Sequence, residues 1–285
     1  MYKILFISLF MVLQSFYAQA APLWKISKGD DFVIIGGTIH VLSATDYPLP
    51  EEFEKAYQAS DTLVFESDIV RMNSPEFQQQ SLQYILLQDG KTIKDFLSEQ
   101  TYQDLETHLQ QRNLSLQQFS MLKPSFLSVT LSMIELQMMG VSSAGVDVYY
   151  STKGMGDQKQ AKWFEEPEEQ MAMLADMGKG EEDAMIAYSL KDVAKIKEMM
   201  PKLINAWRAG DLDKLAEIGI DEMQRDYPEI YDQLLVQRNK NWLPKIEQLF
   251  DNQQNELILV GALHLAGEQS VLKLMQEKGY SIEKY

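Results

Sequence analysis

The sequence predicts an α/β fold in which a central, mostly parallel sheet carries a large helical insertion. Three observations predict it. Residues 32–35, a helix opening after Pro48-Leu49-Pro50 and residues 62–65 follow one another as strand, helix and strand, the order that makes a parallel pair. Far along the chain, Leu257-Ile258-Leu259-Val260 is another short apolar run of β-forming residues. Between roughly 75 and 250 the apolar residues recur at helical spacing, which places the insertion there.

Val33-Ile34-Ile35 is the buried part of the first strand, which runs into Gly37-Thr38-Ile39-His40. Glu51 and Glu52 fall in the first turn of the helix that follows, where negative charge suits the dipole. Phe53, Ala56 and Tyr57 give that helix its apolar stripe, and Ser60-Asp61 ends it. Thr62-Leu63-Val64-Phe65 forms the second strand and delivers Glu66. Ser74-Pro75-Glu76 starts the next helix, with Ser as cap and Pro in the first turn. Helical spacing then covers 91–97, 102–111, 116–121 and 125–139, closed by Gly140. Gly145-Val146-Asp147 reads as a loop leading into a short strand or helix, and Gly154-Met155-Gly156 as a turn. Further helices are expected over 167–177, 183–203, 212–218 and 227–249. The strand 257–260 leads to His264, the amphipathic stretch 268–278 stops at Gly279, and the tail adds a final strand.

Composition narrows the function. Residues 1–20 read as a signal peptide: a basic start at Lys3, an apolar stretch over 4–16, and Ala18-Gln19-Ala20 as the cleavage site. That stretch is shorter than the roughly 20 residues of a spanning helix. Residues 21–285 are then one exported domain, periplasmic or secreted, without a stable membrane anchor. The chain has no Cys, so neither a lipoprotein anchor nor a disulfide is available to it. A formal charge of −16 argues against nucleic acid as a partner. A peptide or small molecule is the expected substrate.

The chain has three histidines, and two of them occupy the same local pattern, a β-run followed by Gly-x-x-His. Gly37-Thr38-Ile39-His40 and Gly261-Ala262-Leu263-His264 each carry an imidazole to the end of a strand. Imidazoles brought there from opposite ends of the sequence can meet on one metal ion or one water. Glu66, also at a strand end, can complete a two-His-one-carboxylate set or take a proton from water. His108 has no motif around it and is expected on the surface. Met133, Met138, Met139, Met171, Met173 and Met199 fall within helical periodicity and read as flexible core filler or a groove for apolar peptides. No Gly-x-Ser-x-Gly elbow, thiol nucleophile, Walker loop or Gly-x-Gly-x-x-Gly is present.

From Leu23 onward the chain resembles the TraB/GumN family, to which the Tiki metallopeptidases belong. The resemblance lies in Gly37-Thr38-Ile39-His40-Val41 with Pro48-Leu49-Pro50, in Leu63-Val64-Phe65-Glu66 and in Gly145-Val146-Asp147. It continues through Phe164-Glu165-Glu166-Pro167-Glu168-Glu169-Gln170, Trp207-Arg208-Ala209-Gly210-Asp211, Arg238-Asn239 with Trp242, and Gly261-Ala262-Leu263-His264-Leu265-Ala266-Gly267. Phe164 and Glu166 depart from the Leu and Thr of the family's pattern. The resemblance implies a fold like that of erythromycin-esterase-like and haem-binding ChaN-like proteins. It also implies, for some relatives, peptidase activity dependent on a divalent, manganese- or cobalt-like ion.

The leading expectation is therefore a metal-dependent hydrolase, with peptide bonds as its substrate. His40, His264 and Glu66 would be metal ligands, and Glu66 would otherwise be the base. Arg238 is expected to pair with Glu66 or hold a substrate carboxylate, and Asn239 to polarise a carbonyl or hold an oxyanion. Glu165 is placed near the site and Asp147 is read as structural. A metal-free esterase-like hydrolase and a non-catalytic binding protein for a peptide, metal or haem are the alternatives.

Overall fold

The chain is described here by a computed structural model covering residues 21–252 and 254–285. The leader and cleavage site expected over residues 1–20 lie outside the described residues.

Eight strands are described. They are β1 (Leu23–Lys28), β2 (Asp31–Thr38), β3 (Val41–Ser43), β4 (Thr62–Ser67), β5 (Val141–Ala144), β6 (Gln160–Glu165), β7 (Glu256–Gly261) and β8 (Ser281–Lys284). Six of them form one sheet in the order β6-β4-β7-β2-β1-β8, while β3 pairs with β5. β6, β4, β7 and β2 run parallel, and the β1 and β8 pairings are antiparallel. The chain is α/β with a central, mostly parallel sheet. β4 and β7 are buried along their whole length, and their middles, residues 63–65 and 257–260, are the unbroken apolar runs of central parallel strands.

One sheet face packs against Phe53 and Tyr57 of α1 (Glu51–Ala59) and against Trp207; the other packs against Trp242, Ile246 and Met275. A third cluster, including Ile93, Leu105, Leu127 and Ile186, is built by the helices after β4. Three further helices bear on the site: α2 (Val146–Gly156), α3 (Ile196–Ala209) and α4 (Gln237–Glu247). Among the described residues no helix is long and apolar enough to cross a membrane.

Several expectations are corrected. β6 is a strand that the sequence hid, because only Phe164 of its residues is fully buried. β1 was also missed, although Leu23, Trp24 and Ile26 are buried along it. Gly154 and Gly156 close α2 and do not form a separate turn. The helix expected over 183–203 is two, Glu182–Val193 and α3; periodicity hides the break because Val193 and Ile196 face the same cluster. The helix expected over 227–249 contains a π-turn at Asp232–Val236, just before α4. His108 is not a surface residue: its side chain is 12% exposed, with Nε2 3.4 Å from Glu135 Oε1. Met138 is exposed, whereas Met171 is buried as expected.

Candidate active site

Parallel strands point their carboxyl ends the same way, and ligands gather beyond such ends. Here β2 hands on His40, β4 ends with Glu66-Ser67, β6 ends with Glu165 and β7 hands on His264. Register aligns them, with Thr38 opposite Gly261 and Ser67 opposite Glu165. Four of the expected residues therefore arrive at one edge by topology alone.

Glycines set the close approaches. A Cβ on Gly145 would lie 2.2–2.3 Å from backbone atoms of Ile39 and His40. Its absence lets α2 start against that loop, where Val146 N–H donates to Ile39 O at 3.0 Å. Asp147, in the first turn of α2, then reaches His40, with Oδ2 2.6 Å from Nδ1. Gly261 marks the centre of the cluster. A Cβ there would sit 3.2 Å from Glu66 Oε1, 3.3 Å from His40 Nε2 and 3.5 Å from His264 Cδ2.

Arg238 ties the carboxylates together. Its Nη2 donates to Glu66 Oε2 at 2.6 Å, and Nε donates to Glu165 Oε1 at 2.8 Å. Nη1 donates to His264 Nε2 at 3.1 Å. The other Glu66 oxygen accepts from Gly261 N–H at 2.6 Å. Glu165 also accepts from Trp242 Nε1 at 2.8 Å, and the Trp242 ring lies 4.3 Å from that of His264. Asn239 Oδ1 is 2.6 Å from His264 Nδ1, while its Nδ2 donates to Gln269 O at 2.7 Å. With Nδ2 bound to a backbone carbonyl, the Asn239 amide is oriented to accept from Nδ1–H. That fixes the tautomer and leaves the His264 Nε2 lone pair facing the cluster.

The charges follow from this packing. Burial pushes His264 down to about 3, with Arg238 adding to the fall, so the ring is neutral. Desolvation also pulls on His40, but the charge and hydrogen bond of Asp147, with Glu66, outweigh it and raise the ring to about 9. Its side chain is 59% exposed, so solvent screens part of that effect. Burial alone would raise Glu66; the guanidinium of Arg238 overrides it and holds the carboxyl well below the usual carboxylate range.

Glu66, Arg238, Glu165 and both histidines thus come together as expected. Asp147 does not fit its structural reading, since it orients His40. Asn239 holds His264 Nδ1 with Oδ1 and Gln269 O with Nδ2, which suits it to orienting His264. Thr38 was overlooked: it is 2% exposed, and its Oγ1 has no hydrogen-bond partner among the described residues.

These residues fit a divalent cation in kind. Both imidazoles are held through Nδ1 by an oxygen acceptor, which leaves both Nε2 atoms turned to the centre, as metal-binding histidines are commonly oriented by an acceptor on the other ring nitrogen. Two carboxyl groups, Glu66 and Glu165, pair with one guanidinium, and a third, Asp147, pairs with His40. In the geometry described, Arg238 bridges Glu66 and His264, whose Oε1 and Nε2 are 3.8 Å apart. Among the described residues no group of three or more His, Asp or Glu side chains is already closed around a metal position.

Residues 22–284 match the TraB/PrgY/gumN family. The chain is similar to the protein YbaP of Escherichia coli (strain K12), at 24% identity over 244 residues, covering 84% of this chain and 86% of that protein. It is equally similar to YbaP of Shigella flexneri, with the same identity and coverage. No solved structure matches it significantly.

Proposed function

This chain belongs to the TraB/PrgY/gumN family, and from that premise we propose that it is a divalent-metal-dependent hydrolase of carboxylic amide bonds, peptide bonds being the class the family resemblance implies. The observation that carries the reading is the meeting of Glu66, His40 and His264 around the bare Cα of Gly261. His40 and His264 would hold the ion through Nε2, with Glu66 as the nearest carboxylate. When bound, such an ion polarises a carbonyl and makes hydroxide available from water near neutral pH. Asp147 and Asn239 hold the two rings in place. Arg238 keeps Glu66 oriented and ionised, and puts positive charge beside any negative charge developing on the substrate. The apparent leader, residues 1–20, would place this activity outside the cytoplasm.

The histidine charges make the reading testable without a substrate. A ligand nitrogen must lose its proton, and His40 is raised to about 9, so at neutral pH a proton competes with the ion there. Manganese affinity, measured by calorimetry, is expected to rise by up to about tenfold per pH unit above 7 and to level off once His40 has lost its proton. His264, held down at about 3, adds no slope in this range. His40→Ala should abolish both the slope and most of the affinity, and His264→Ala most of the affinity alone. Equal manganese binding by all three proteins would sink the metal reading.

A further inference from the structure

A cavity of about 410 Å³ opens directly from the cluster. Thr38, His40, Arg238 and His264 line its reactive end. Elsewhere it is walled by half-buried aliphatic side chains, among them Leu136, Met200, Leu203, Met223, Leu234 and Leu263. Its described lining has no aromatic residue, and no polar side chain beyond those four. The walls come from separate helices, so this is a concave pocket rather than one bare helix face.

A peptide lying in the cavity would bring its own N–H and C=O groups, which need partners when buried. The aliphatic wall supplies none. A single leucine-sized side chain would leave most of the volume empty, because a cavity this size is in the range that takes a whole small ligand. A flexible hydrocarbon chain meets both conditions: it needs no hydrogen bonds, and it can follow Met and Leu side chains that are themselves adaptable. The second observation is Thr38. It lines the reactive end and its buried hydroxyl has no partner among the described residues, and a buried hydroxyl without a partner costs stability.

We propose that this cavity holds the straight aliphatic chain of an acyl group, with Thr38 Oγ1 hydrogen-bonded to the acyl oxygen. The proposal rests on the hydrolase reading for its chemistry. The substrate is then a long-chain acyl amide. The oxygen of water bonds to the acyl carbon, and the carbon–nitrogen bond breaks with its electron pair passing to nitrogen. The nitrogen takes a proton, and a fatty acid and an amine leave.

Two measurements separate the cavity from the chemistry. Calorimetric binding of butyrate, hexanoate, octanoate and decanoate to the whole protein should tighten by about fourfold per added methylene until the cavity is full. Cleavage of the matching acyl anilides in manganese should rise along the same series. Met200→Trp, which fills the cavity, should cut the gain from the longer chains, and its melting temperature reports whether it folds. Thr38→Val should raise the melting temperature while weakening decanoate several-fold, a pair of signs that a merely structural hydroxyl would not produce. Chain-length-dependent binding without cleavage of the acyl anilides or of unacylated peptides would support the cavity and defeat the hydrolase reading. Binding that is flat along the series, or cleavage of unacylated peptides as fast as the decanoyl compound, would overturn the proposal.

Discussion

Replacing Arg238 with Met is expected to lower the stability of the protein by about 3–5 kcal/mol, the range for removing one partner of a buried ion pair. The side chain of Arg238 is 11% exposed, and those of Glu66 and Glu165 are 10% and 13% exposed. Methionine fills the space of the aliphatic stem but leaves two buried carboxylates and His264 Nε2 without their shared donor. Solvent reaches too little of either carboxylate to compensate. The deficit should depend on pH with a definite sign. In the wild type Glu66 is depressed, so its pairing stabilises the protein above the unfolded carboxylate pKa and is lost only as pH falls through the folded value. In the variant the largest cause of that depression is gone, and protonation relieves the buried charge at a higher pH. The gap between the two urea midpoints should therefore narrow from pH 7 to pH 5. A gap below ~1 kcal/mol at pH 7 would mean that solvent already screens the network.

The same network shows what was legible in the sequence. His40, Glu66 and His264 could be found because each ends a short apolar run, and parallel topology carries such ends to one edge. Arg238 and Asn239 lie on a helix whose polarity looks like a solvated face, and both are buried; only the family resemblance marked them. Asp147 was misread because its role depends on Gly145 pressing against the backbone of residues 39 and 40, a contact spanning more than a hundred residues. No local pattern encodes that distance. The cavity was hidden for a related reason. Leu136, Leu203 and Leu234 obey helical periodicity as any core residue does, and periodicity cannot show whether the space they face is filled. The π-turn at Asp232–Val236 escaped because one extra residue in a turn leaves an apolar stripe nearly intact.

Replacing Glu66 with Gln is expected to lower turnover by at least ~100-fold and to weaken manganese binding with it. The two effects together distinguish an anionic ligand from a general base. A base works best with a pKa near the working pH, and Glu66 is held far below that by Arg238. Its oxygens are also committed, one to Gly261 N–H and one to Arg238 Nη2, both at 2.6 Å. A carboxylate so held is better suited to contributing fixed negative charge beside the two Nε2 atoms than to shuttling protons. Glutamine preserves the shape but turns one acceptor into a donor, which must face either the Gly261 N–H or the guanidinium. Metal analysis and an amide-cleavage assay on one preparation read both consequences. If the Gln variant keeps its full manganese content and loses only turnover, Glu66 is the base. If it keeps both, Glu66 has no part in the reaction, and the cluster around Gly261 must act through its histidines.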